Sequence, residues 1–480
     1  MDGKNSCIIL YPSPGIGHLV SVVEFAKLVL CHHPNSFSKI IIFITTTTQL
    51  NTGNTGPYIS RVSATMPAIS FHHLPAIPLP PSHATSVESL IFELLSFNNC
   101  NIRQALQTIS SGQLKIKAFI MDFFCNAAFE VSSGLDIPTY YFYTSAASSL
   151  SPFLYLPTMH QNITTSLKDL NAFVQHPGLP PIFSSDIATP MLDRNSALYQ
   201  NFMDTAVQMA KSDGIIINTF HSLENRAIAA ISDGLCVPNA PTPPIYCIGP
   251  LIAKQEINSE EHPCLVWLNS QPSKSVIFLC FGSFGVFEEE QLNEIAVGLE
   301  NSDHRFLWVV KAPPPKGDNE SNSSSFAPQE PDLNALLPQG FLDRTKGRGL
   351  VVKSWAPQIA VLSHDSVGGF VTHCGWNSIL EGVCAGIPMI GWPLYAEQRL
   401  NRVILVEELR AGLMLEESSG RRFVSGIEIE KRVRELMESD KGERIRQRVG
   451  ELKDAAEIAL TGENGSSRIA LAKLISKWKE

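Results

Sequence analysis

One pattern constrains this chain above all others. Short runs of apolar, often β-branched residues recur along it, and turns and helical spacings separate them. In the first half these runs are Cys7–Tyr11, Lys39–Ile44, Lys117–Met121, Ile137–Tyr143 and Ser212–Asn218; in the second they are Ile245–Ile252, Ser275–Phe284, Arg305–Val310 and Gly368–His373. Strands that read as nearly continuous apolar runs are covered on both faces, which requires helices on both sides of a parallel sheet. The intervening segments fit. His18–Leu30 places Leu19, Val22, Val23, Ala26 and Val29 or Leu30 on one face, and Pro263–Asn269 and Glu288–Glu300 are further helices. The pentapeptide His221–Asn225 also reads as helical. The fold class is therefore α/β with doubly wound sheets, whose ligands lie beyond the carboxyl ends of the strands.

At 480 residues the chain is too long for one core, so two such domains are expected. A polar stretch over 253–262 separates them, giving domains over 1–250 and 251–465 and a final apolar-spaced helix over 466–480. Residues 312–334 hold a run of prolines and serines with few apolar residues, and read as a mobile surface loop. A net charge of −9 argues against nucleic acid or an anionic membrane as partner. The ten cysteines form no CxxC pair, so neither a disulfide frame nor a zinc site is expected. The apolar run at the N-terminus is too short for a signal peptide, and no stretch is long enough for a membrane span. These features point to a cytoplasmic enzyme, acting as a monomer. The adjacent pairs His32-His33 and His72-His73 read as surface or loop residues rather than metal ligands.

The densest chemistry lies between Trp355 and Gln398. Gly368–His373 is a buried-strand pattern; Cys374–Ser378 then opens a helix, with Asn377 or Ser378 as N-cap and Gly386 as stop. Strand, glycine turn and helix N-terminus make an anion site, to which His373 and Ser378 can add donors. Trp355 offers a flat face for a base, Glu381 an acceptor for ribose hydroxyls, and Glu397 with Gln398 a carboxylate–amide pair suited to a hexose. Taken singly, each of these residues also fits an ordinary β-α-β unit with tryptophans in its core. Together they would require too many buried polar groups without purpose.

His18 and Asp122 both follow apolar runs, so the fold brings them to one rim. Alone, His18 would be a capping or solvent-facing residue and Asp122 an N-cap. As a pair they are a general base and the carboxylate that orients it. Phe124 and Tyr395 flank this rim and the Glu397–Gln398 pair respectively, and suit the wall of a flat apolar acceptor site.

The stretch Trp355–Gln398 resembles the signature box of plant family-one UDP-dependent glycosyltransferases, matching it without a gap from WAPQ through HCGWNS to the closing EQ. The loop PSPGIGH and the Asp after KAFIM extend the resemblance over most of the chain. It implies two Rossmann-like domains facing across a cleft (the GT-B fold), with the donor mainly on the second and the acceptor mainly on the first. The C-terminal helix would return to the N-terminal domain. It implies that Trp355 stacks on uracil and the Ala356 backbone pairs with its edge. Gln358 and Glu381 would hold the ribose, and Ser283, His373, Gly375, Asn377 and Ser378 the diphosphate. Thr144, Trp376, Glu397 and Gln398 would meet the sugar, and Ile16, Phe124 and Tyr395 the acceptor. Glu397 departs from the Asp common in the family. Trp376 and Gln398 match users of UDP-glucose. The stretches ILYPSPGIGHLVSVVE, LYAEQRLNRV and YYFYTSAASSL look most like the subgroup acting on flavonoids, isoflavones and chalcones.

The function expected is inverting transfer of glucose from UDP-glucose to a phenolic hydroxyl, with His18 as base, Asp122 as its partner, and neither cofactor nor metal. Two alternatives stay open: carbon-linked transfer to an electron-rich ring, and a non-catalytic protein that binds UDP-sugars.

Overall fold

The computed structural model describes residues 5–34, 36–47, 55–77, 86–112, 114–253, 262–313, 330–418 and 422–479. Residues 314–329 of the expected surface loop thus lie outside the described residues. The chain divides into two compact units, one of Met1–Ala253 with Ile458–Glu480 and the other of Lys254–Glu457.

The first unit is built on seven parallel strands: β1 (Ser6–Tyr11), β2 (Lys39–Ile44), β3 (Ile69–His73), β4 (Lys115–Asp122), β5 (Thr139–Tyr143), β6 (Gly214–Ile217) and β7 (Ile245–Cys247). Their order is β3-β2-β1-β4-β5-β6-β7. The order reverses between β1 and β4, the switch point where an open sheet leaves a crevice. Tyr11 pairs with Met121, so the segments that follow β1 and β4 leave the sheet side by side. One face is covered by the helix Ile16–His32, whose Phe25 stacks on Phe142 of β5 at 5.6 Å between ring centroids. The helix Ser466–Lys479 packs on the same core: Trp478 is 2% exposed and sits against Phe25, Phe37 and Tyr140.

The second unit repeats the plan with β8 (Val276–Cys280), β9 (Arg305–Val310), β10 (Gly349–Lys353), β11 (Val367–Thr372), β12 (Met389–Gly391) and β13 (Gly412–Met414), in the order β10-β9-β8-β11-β12-β13. Here the reversal falls between β8 and β11. Cys280 pairs with Thr372, so Phe281–Ser283 and His373–Gly375 emerge next to each other.

Two local expectations need correction, and a third holds in part. His221–Glu224 form a turn, and the helix begins at Asn225. His72 and His73 are surface residues, exposed at the end of the edge strand β3. Asn377 and Ser378 lie inside the helix Trp376–Ala385; its N-cap is Gly375, while Gly386 does stop it in a left-handed conformation. Among the described residues no helix is long and apolar enough to cross a membrane, and no group of His, Cys, Asp and Glu is arranged to hold a metal ion.

Candidate active site

In the first unit, the β1 turn delivers His18 in the first turn of its helix, and β4 delivers Asp122 as its last residue. His18 Nδ1 lies 2.7 Å from Asp122 Oδ2. The other oxygen, Oδ1, accepts the backbone N–H of Phe124 at 3.0 Å and caps the short helix Phe123–Ala128. The N-cap reading of Asp122 and its pairing with His18 are therefore true at once: the capping bond locks the carboxylate that holds the imidazole. Asp122 is fully buried, whereas the His18 side chain keeps 29% of its surface exposed. A proton on Nδ1 satisfies Asp122 and places the basic lone pair on Nε2. Thr144, just past β5, puts Oγ1 3.5 Å from His18 Nδ1. Phe124 meets the His18 ring edge-on at 5.8 Å, within a cluster of Phe92, Phe123 and Phe202. Ile16, half-buried, opens the same helix.

In the second unit, His373 is 6% exposed and its Nδ1 has no partner. Burial, reinforced by the charge of Lys311, lowers its pKa to about 4, so the imidazole is neutral. Its ring is held between two glycines: a Cβ on either Gly282 or Gly375 would approach Nε2 to 2.5 Å. The helix Trp376–Ala385 follows, and the N–H groups of its first turn have no acceptor further back in the helix. Gln358 Nε2 donates to Ser378 Oγ at 2.9 Å and to Glu381 Oε2 at 2.6 Å, linking the two residues assigned to ribose. Burial raises the Glu381 carboxyl to about 7, against the opposing effect of the Gln358 bond. Trp355 is 57% exposed, beside the buried Ala356, and the His262 ring meets it edge-on at 5.6 Å. Ser283 is exposed at the β8 turn.

The residues assigned to the sugar are placed unevenly. Trp376 is 3% exposed at the first position of its helix, as deeply buried as Gln398. Gln398 Oε1 accepts the N–H groups of Leu394 and Tyr395 at 2.8 and 3.0 Å, which fixes the orientation of its amide. Glu397 is half-buried at the start of its helix, and the Tyr395 ring lies 6.3 Å from that of His373.

The chain is similar to known proteins along almost its whole length. Residues 235–420 match the model described as UDP-glucoronosyl and UDP-glucosyl transferase. The chain is 51% identical to a UDP-glycosyltransferase 88B1 of Stevia rebaudiana, over 99% of each chain. It is 50% identical to an anthocyanidin 5,3-O-glucosyltransferase of a Rosa hybrid cultivar, over 98% of this chain and 99% of that one. It also superposes on a Phytolacca americana transferase solved with UDP-2fluoro-glucose and pterostilbene, with a TM-score of 0.86, 37% identity and coverage of 99% and 100%.

The chain belongs to the plant UDP-glycosyltransferases.

Two features of this glycosyltransferase escaped the sequence. Lys311, directly after β9, donates to the carbonyl oxygens of Gly282 and Ser283, the latter at 2.6 Å. Glu224 accepts the backbone N–H groups of Ala147 and Ser148 at 2.9 and 2.8 Å, fixing the start of the helix that follows Thr144. Neither stands in a motif, and a topology is needed before either can be connected to a site. The transferase also holds three non-glycine residues in the left-handed region within or beside its signature box: Ser354 (φ 62), Cys374 (φ 63) and Ala396 (φ 52). They precede Trp355, Gly375 and Glu397, all assigned to the donor. Strained backbone of this kind is kept where surrounding structure enforces it, commonly at ligand sites.

Proposed function

We propose that the chain moves glucose from UDP-glucose to a hydroxyl of a phenolic small molecule of the flavonoid, isoflavone or chalcone type, inverting the anomeric carbon. The observation that carries this reading is the His18–Asp122 pair at 2.7 Å beyond the carboxyl ends of β1 and β4. His18 Nε2 takes the acceptor proton; Asp122 holds the tautomer and stabilises the imidazolium. The acceptor oxygen attacks C1 from the side opposite the diphosphate, so an α-linked donor becomes a β-glucoside. Trp355 and Ala356 hold uracil, Gln358 and Glu381 the ribose, and Ser283, His373, Gly375, Asn377 and Ser378 the diphosphate. Thr144, Trp376, Glu397 and the Gln398 amide face the sugar, and Ile16, Phe124 and Tyr395 the acceptor. Transfer to oxygen is favoured over carbon by the relatives named for O-glucosylation. An intact His18–Asp122 pair weighs against a protein that only binds UDP-sugars. The helix N-terminus and its donors carry the phosphate charge without a metal. A cytoplasmic monomer fits this chemistry.

The test is incubation with UDP-glucose, UDP-galactose, UDP-xylose and UDP-glucuronate in competition over a panel of phenols, with products identified by mass and NMR, with and without EDTA. We expect β-O-glucosides, preference for UDP-glucose and unchanged turnover in EDTA. Preference for another sugar, or a collapse restored by Mg²⁺, would reject the donor assignment or the metal-free mechanism respectively.

A further inference from the structure

The imidazolium that forms on His18 balances the reaction, but His18 belongs to the first unit, and the negative charge that develops on the diphosphate needs a stabilising group of its own in the second. When the bond between C1 and the β-phosphate oxygen breaks, its electron pair goes to that oxygen, and UDP gains a full negative charge. The new bond joins the acceptor oxygen to C1, and the acceptor's proton goes to His18. His373 is neutral and cannot offset the new charge. A helix N-terminus supplies only about half an elementary charge.

Lys311 stands where an offsetting charge is needed. It directly follows β9, which neighbours β8 in the sheet, so it reaches the loop that follows β8. Two of its N–H donors go to the carbonyls of Gly282 and Ser283. Those oxygens would otherwise repel a diphosphate; bound to the ammonium, they are neutralised and the turn is held. The ammonium is half-buried, and burial lowers its pKa. Charge in such a partly dry place acts more strongly than on an open surface. Gly282 is also one of the two glycines that hold the His373 ring, so the same turn positions the imidazole.

We propose that Lys311 is a positioning residue for the leaving group: it pins the Gly282–Ser283 turn against His373 and sets a fixed positive charge behind the diphosphate. This rests on the transferase reading above. Lys311 would then do part of what a divalent cation does in metal-dependent transferases.

The experiment uses the full chain with Lys311→Met and Lys311→Arg. Binding of UDP and of uridine is measured by calorimetry, and kcat is measured with and without millimolar Mg²⁺. We expect Lys311→Met to lower kcat by about 100-fold, the scale of one lost preorganised donor. UDP affinity should fall while uridine affinity holds. Mg²⁺ should recover part of the rate in Lys311→Met but leave wild type unchanged, and Lys311→Arg should retain most of the rate. Equal losses for uridine and UDP would overturn the proposal, because they report a general collapse of the site. So would Lys311→Met turnover unaffected, or a defect that Mg²⁺ leaves untouched. If wild type transfers no glucose, the transferase reading fails, while the UDP and uridine titrations still judge Lys311.

Discussion

Because both oxygens of Asp122 are committed, one to Phe124 N–H and one to His18, replacing it by Asn forces a choice. The amide oxygen can occupy only one of the two positions that the carboxylate oxygens hold. If it stays on the cap, the amide N–H₂ faces Nδ1 and drives the proton to Nε2, the wrong tautomer for a base. Asp122→Asn should therefore act like His18→Ala. Both should cost about 10²–10⁴-fold with weakly acidic phenols, and less as the acceptor's own pKa falls. Plotting log rate against acceptor pKa for the variants and wild type checks this; a uniform loss across acceptors would mean that His18 positions but does not take the proton. Glu381 gives a second test at this scale. Its carboxyl is raised to about 7 by burial. Ribose hydroxyls donating to it favour the ionised form, so donor binding lowers that pKa and releases a proton. UDP-glucose affinity should thus rise as pH increases towards about 7 and level off above it. Calorimetry near neutral pH in buffers of different ionisation enthalpy would show the released proton, and Glu381→Gln should abolish it.

Elements were legible in the sequence wherever one periodicity governed them. The β1, β2, β4 and β9 runs are continuous and apolar, and their ends fall within a few residues of the expected positions. The edge strand β3 has a mixed, exposed pattern, and the three-residue strands β12 and β13 are too short to show any period. The site divides in the same way. Residues at strand ends, His18, Asp122 and His373, follow from topology alone. Side-chain direction does not, which is why the carbonyl-bound Lys311 cannot be read from the sequence. Nor do the left-handed Ser354, Cys374 and Ala396 announce themselves, since none is Gly or Asn. The β8 turn offers a test of this element logic. Gly282 has φ 72, and a Cβ there would press on the His373 ring. Gly282→Ala should cost about 1–2 kcal/mol of stability from backbone alone. It should also weaken UDP binding by about 1–3 kcal/mol, the cost of one lost buried donor. Alanine with unchanged UDP affinity would show that the imidazole does not depend on that turn.

On the scale of the whole chain, each unit is a doubly wound sheet with its functional residues at its own reversal of strand order, but only the first unit is completed by residues from the far end of the sequence. The helix Ser466–Lys479 closes that core: Ser467 Oγ donates to Gly249 O at 2.5 Å, and Trp478 fills the space between Phe25, Phe37 and Tyr140. Nothing in the sequence ties Trp478 to Phe25 directly; the pairing follows only once the apolar face of the last helix must find a partner. Trp478→Ala removes a side chain that is 2% exposed from a well-packed site, and such truncations cost about 3–5 kcal/mol. Hydrogen exchange resolves where the loss falls. Slow amides of β1, β4 and β5 should lose protection by that amount, while those of β8 and β11 keep theirs. UDP affinity should hold, because every residue assigned to the nucleotide lies in the second unit. If protection falls equally in both sheets, the two units unfold as one body, and the last helix stabilises the whole transferase rather than the unit it packs on.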